Sequence, residues 1–155
     1  MLEPRKFAFG GTSAIVTSMG LVIGLGAARA AMATIVSALL ITGLADNVTD
    51  SLSIHMYQEA ERLEAATAFR TTVTNFLARA LVALSFVSVV LVLPQLYAAI
   101  AALAWGSLLL VGTSYLLARA RAVAPVPEIG KHLGVAFLVI VVSRLIGSWI
   151  TSYVF

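Results

Sequence analysis

The sequence predicts an all-α, polytopic membrane protein with five transmembrane helices, its N terminus in the cytoplasm and its C terminus outside. Three observations carry that expectation. Hydrophobic residues make up 61% of the 155 residues and charged residues only 11%, with a mean hydropathy of +1.02, far from the composition of soluble domains. The apolar residues gather into five stretches, each near the ~20 residues that a helix needs to cross a bilayer. Lysine and arginine collect in alternate connections, as cytoplasmic loops do.

The five expected spans run over about 7–28, 30–56, 74–93, 96–118 and 133–154. Arg29 breaks the first from the second, and Pro94-Gln95 turns the third into the fourth. Residues 57–72 read as a short cytoplasmic helical extension and link, in which Gln58 to Glu64 continue the second helix. Residues 119–131, RARAVAPVPEIGK, read as a short cytoplasmic loop. With the N terminus inside, Arg5, Lys6, Arg62, Arg70, Arg119, Arg121 and Lys131 fall in or beside cytoplasmic segments, Arg79 lies near the cytoplasmic end of the third span, and outside there is only Arg29. Arg5-Lys6 ahead of an apolar run also fits a signal peptide. The length and the glycine patterning of that run favour a packed helix instead. All links are short, so residues 1–155 form one transmembrane domain.

Composition narrows function as well. The chain has no cysteine and two histidines, which excludes disulfides, thiolate metal sites and a histidine-rich centre. No HExxH, phosphate loop or Ser-His-Asp pattern is present, so the reading is not an enzyme and no cofactor is expected. The basic residues serve topology and give no support for nucleic-acid binding.

Two helical faces carry the chemistry. In the first span Ser13, Thr17, Gly20 and Gly24 lie along one small, weakly polar face, with Gly20 and Gly24 forming a GxxxG match suited to close helix packing. In the second span Thr42, Asp46, Thr49, Asp50, Ser53 and Tyr57 share a face that Glu61 and Glu64 extend. A carboxylate facing lipid costs roughly 2.5–3.5 kcal/mol, so these acids must meet another helix, a water-filled cavity or an ion. Oxygen ligands suit hard or intermediate divalent ions, so Asp46 is the expected ion ligand at mid-membrane, Asp50 assists or takes protons, and Ser13 and Thr17 contribute oxygens from the facing helix; His55 and Met56 at the end of the span would add affinity for softer transition metals. Glu59, Glu61 and Glu64 would concentrate cations at the cytoplasmic mouth. His55 points away from the Asp46 face and reads as interfacial. Arg144, at a depth similar to Asp46 in the fifth span, is the competing explanation: a buried Asp46–Arg144 pair, or a gate. Trp105 and Trp149 read as interface anchors or packing residues.

The run FGGTSAIVTSMGLVIGLGAA followed by ITGLADNVTDSLSI resembles the vacuolar iron transporter family, whose members have five membrane helices and act as dimers. Ser13-Ala14-Ile15-Val16-Thr17 and Gly24-Leu25-Gly26-Ala27 are similar to the family's first helix; Gly43-Leu44-Ala45-Asp46 and Leu52-Ser53-Ile54 are similar to its second. The chain departs from the family where Ser13 replaces an aspartate and Ile54 a methionine. It is too short after its second helix for a cytoplasmic metal-binding bundle, as in the nodulin-like branch. The resemblance implies export of cytosolic Fe2+ or Mn2+ in exchange for protons by a homodimer, through a path lined by the first two helices. The expected partners are a lipid bilayer and divalent metal ions, and the expected location is a bacterial or archaeal inner membrane rather than an organelle. The alternative reading is a noncatalytic scaffold or degenerate transporter neutralised by the Asp46–Arg144 pair.

Overall fold

The computed structural model describes residues 4–62 and 64–153, with the side chains of 4–10 and 65 left undescribed. Five helices follow one another: α1 (Pro4–Ala27), α2 (Met32–Ala60), α3 (Ala65–Val92), α4 (Gln95–Ala120) and α5 (Pro125–Tyr153). There is no strand among the described residues. α2, α4, α5 and residues 66–92 of α3 are each long and apolar enough to cross a membrane, while the apolar run of α1 with described side chains is the shorter Gly11–Ala27.

Two connections are tighter than the sequence reading expected. α3 begins at Ala65 and α5 at Pro125, so most of 57–72 and 119–131 is helix rather than link. The helix-stopping positions carry no glycine. Arg29, Arg62 and Ala122 each adopt positive φ, at 56°, 54° and 54°, although side chains pay roughly 1–2 kcal/mol for that conformation. Arg29 and Ala122 sit in turns closed by six-residue backbone bonds, Ala30 N–H to Leu25 C=O and Val123 N–H to Ala118 C=O. Pro125 and Pro127 do not delay α5, because a first helical turn has no partner for the N–H that proline lacks.

α1 sits at the centre, packed on α3, α4 and α5, while α2 leans mainly on α3. The core gathers Ile15, Met19 and Val22 of α1, Leu39 of α2, Phe86 and Val90 of α3 and Leu110 of α4, all nearly inaccessible. Small residues set the closest approaches. A Cβ on Gly147 would collide with the Gly24 carbonyl, and one on Gly106 with the Met19 thioether. The Gly20–Gly24 face is therefore spent inside the chain, against Val139 and Ser143 of α5. Trp105 donates from Nε1 to Ser85 Oγ at 2.9 Å, tying α4 to α3, and Ser114 Oγ bonds His132 Nδ1 at 2.7 Å, tying α4 to α5.

The outer surface is apolar on nearly every side: Leu40, Ile41, Leu44, Leu81, Leu91, Leu108, Phe137, Leu138 and Leu145 are all exposed. Such a surface is an aggregation hazard in water and ordinary in lipid.

Candidate functional site

The polar residues of α2 meet a partner that the sequence reading left aside. Arg79 of α3 is 2% exposed and reaches three α2 side chains at once. One guanidinium nitrogen pairs with Asp50 at 2.5 Å, Nε donates to Asn47 Oδ1 at 2.9 Å, and the other terminal nitrogen stands 4.0 Å from Asp46. Arginine suits this task because its planar fork can serve several acceptors in fixed directions. The expected Asp46–Arg144 pair is thus corrected: α3, not α5, lies against the acidic face of α2. Arg144 instead lines a cavity with Gln95 and Ser148.

Antiparallel packing explains why Arg79 arrives there. From the Asn47–Arg79 bond, a step of four residues along each helix brings Gly43 to Ala83, whose Cβ lies 3.0 Å from where a Gly43 Cβ would be. One step the other way brings Ser51 level with Asn75, and the next brings His55 level with Thr71. Asn47, Ser51, Thr71, Asn75 and Arg79 are all buried, so the α2–α3 seam is polar from the ion pair towards the α2–α3 turn and small or apolar beyond it. Ser51 Oγ and both amide atoms of Asn75 have no hydrogen-bond partner among the described residues.

Asp46 and Asp50 are only half-buried, at 42% and 45% side-chain exposure. Asp50 opens into a groove of about 800 Å³, which it lines with Ser13 and Thr17 of α1, Ser53 and Tyr57 of α2, and Arg79. The groove exists because α2 is held by α3 and leaves the flank of α1 uncovered. Asp46 lies beside it in a narrow crevice with Thr17, Thr42, Asn47 and Arg79. Of the expected group, Ser13, Thr17 and Asp50 line the groove while Asp46 lines only the crevice, and Thr17 lines both.

The remaining expected ligands lie elsewhere. Met56 is exposed and lies outside the residues lining the groove. Glu59 is 3.4 Å from His55 Nε2, Glu64 accepts from Thr67 Oγ1 at 3.4 Å, and Glu61 caps the end of α2. No three His, Asp or Glu side chains among the described residues come together as a metal cluster. Long acidic side chains on a hydrated helix end gain nothing from converging without a cation.

Chemically, the centre holds two carboxylates and one guanidinium, which leaves one negative charge beside an oxygen-rich groove. Arg79 could have been anticipated, since Thr71, Asn75 and Arg79 repeat at four residues and so share one face of the third helix. No family model, curated protein or solved structure matches the chain.

Proposed function

We propose that the chain is an integral membrane carrier for a small cation, with Fe2+ or Mn2+ as cargo exported in exchange for protons along the groove between α1 and α2. One observation carries the reading: Asp50 shares a groove of about 800 Å³ with the oxygens of Ser13, Thr17, Ser53 and Tyr57. Carboxylate and hydroxyl oxygens are the donors that hard and intermediate divalent ions take, and an ionisable group within a membrane helix marks an ion path by default. The family resemblance of the first two helices supports the choice of metal and the homodimer, and the Lys and Arg distribution supports an N-in orientation of five spans.

Arg79 sets the mechanism. A divalent ion on Asp50, about 5 Å from the guanidinium, would feel a repulsion of about 7 kcal/mol at an effective dielectric near 20. Ion and arginine therefore compete for Asp50. Arg79 paired with Asp50 closes that carboxylate to a cation. Cargo binding releases the guanidinium to Asp46 and Asn47, and cargo release draws it back, so the site is never left as two uncompensated acids in a poorly solvated place.

A second reading is favoured by the saturation of Arg79: with Asp50, Asn47 and Asp46 around it, the cluster is also a complete structural ion pair in a protein without transport activity. Equilibrium binding separates the two. Mn2+ titrated into purified protein and followed by electron paramagnetic resonance should bind saturably, weaken at least tenfold in Asp50→Asn, and tighten in Arg79→Gln, which removes the competing charge. Binding that is absent, or indifferent to both changes, would leave the structural reading.

A further inference from the structure

Arg144 is used neither by the groove nor by the α2–α3 seam, and its surroundings point to an anion. It lines a cavity of about 410 Å³ at the other end of the bundle, where α1 and α3 finish and α2 and α4 begin, together with Gln95, Leu96, Ala99 and Ser148. Among the described residues Arg144 has no ion pair or hydrogen bond. Nor does an Asp or Glu side chain line the cavity. The Asp and Glu residues of the chain are Glu3, Asp46, Asp50, Glu59, Glu61, Glu64 and Glu128. On α2 the nearest is Asp46, 11 residues beyond Ile35 of the cavity wall, roughly 16 Å along the axis.

An arginine in a membrane-spanning helix is expensive unless its charge is met. The depth of the cavity identifies what meets it. Trp149 and Tyr153, with ring centres 6.2 Å apart, are exposed about one and a half and two and a half turns beyond Arg144, and Tyr97 is exposed on the first turn of α4. Exposed aromatics of this kind sit at headgroup level, which puts the guanidinium within reach of phosphate. Leu96, Ile100 and Leu145 are exposed around it, an apolar wall suited to acyl chains. Gln95 donates to the Ala30 carbonyl at 2.8 Å, which fixes the α1–α2 turn above the cavity.

We infer that this cavity binds a phosphate group, that of a phospholipid headgroup, with Arg144 as its charged contact and Ser148 as a hydroxyl donor. Guanidinium recognises phosphate through paired N–H donors, and basic pockets between membrane helices take headgroups on this principle. The site is independent of the cation reading, since it shares no residue with the groove.

The test uses purified protein in a phosphate-free detergent, with native mass spectrometry as the readout. Three probes are titrated: dioctanoyl phosphatidylglycerol, dioctanoylglycerol as its phosphate-free counterpart, and inorganic phosphate. Wild type should bind the phospholipid saturably, Arg144→Gln should weaken that binding at least tenfold, and Arg144→Lys should recover part of it, while dioctanoylglycerol binds both proteins alike. Displacement of the lipid by inorganic phosphate, with the same dependence on Arg144, would keep the phosphate site and assign it to a free anion. The inference is overturned if Arg144→Gln, with helicity and monodispersity unchanged, binds the phospholipid as wild type does, or if the lipid with phosphate binds no better than the one without.

Discussion

Replacing Arg79 with methionine tests the centre of the structure, because one side chain there closes three contacts. The change keeps most of the aliphatic stem and removes the charge. Asn47, 3% exposed, loses the donor to its Oδ1 at 2.9 Å, and an orphaned buried acceptor costs about 1–3 kcal/mol. Losing the Asp50 pair would cost about 3–5 kcal/mol if it were fully buried and up to about 1 kcal/mol at a surface. Asp50 at 45% exposure lies between these limits, so about 1–2 kcal/mol is the discounted value. The sum is about 3 kcal/mol, or roughly 6–12 °C in melting temperature for a chain of this size. The assay is thermal unfolding of wild type, Arg79→Met, Asp50→Asn and the double variant in the same lipid nanodisc. The double variant should be less destabilised than the two single losses added together, with a coupling of at least about 1 kcal/mol. Arg79→Met melting within about 1 °C of wild type, with no coupling to Asp50→Asn, would refute the assignment of Arg79 as the partner of α2.

The glycines give a graded prediction: Gly147→Ala places a methyl against the Gly24 backbone, which cannot move aside, and should cost about 1–3 kcal/mol or more, whereas Gly112→Ala meets nothing within 4 Å and should be neutral or gain about 0.4–1 kcal/mol; melting temperatures of the two variants check this. Asn75→Leu should raise stability by about 1–2 kcal/mol, because both amide atoms are buried without partners and leucine fills a similar volume without that penalty; a fall in melting temperature would mean that the amide is satisfied in the membrane. Trp105→Phe should lower stability by about 1 kcal/mol through loss of the bond to Ser85, and Ser85→Ala should then add little, as a double-mutant cycle would show.

Composition and hydropathy made the helical class legible, and the helical repeat put Ser13 with Thr17 on one face of α1 and Asp46 with Asp50 on one face of α2. These are properties of single helices. Partner choice was not legible in the same way. Asp46 and Arg144 sit at matched apparent depth, and depth is all that a list of spans supplies. Which helix faces which depends on the small residues: Gly24 and Gly147 bring α5 onto α1, and Gly43 with Ala83 brings α3 onto α2. The starts of α3 and α5 were missed because the preceding turns use Arg62 and Ala122 at positive φ where a glycine would have been the visible signal. Glu59, Glu61 and Glu64 are close in sequence, and the structure gives Glu59 a neighbour in His55 and Glu64 one in Thr67.

The most direct measurement is Mn2+ and Fe2+ flux into proteoliposomes of purified protein, with and without an imposed proton gradient, for wild type and Asp50→Asn. Uptake should depend on the gradient in wild type and be lost in Asp50→Asn, with the variant inserted and folded to the same extent. Equal flux in both proteins would contradict the path through the α1–α2 groove, and no flux in folded wild type would contradict the carrier reading itself.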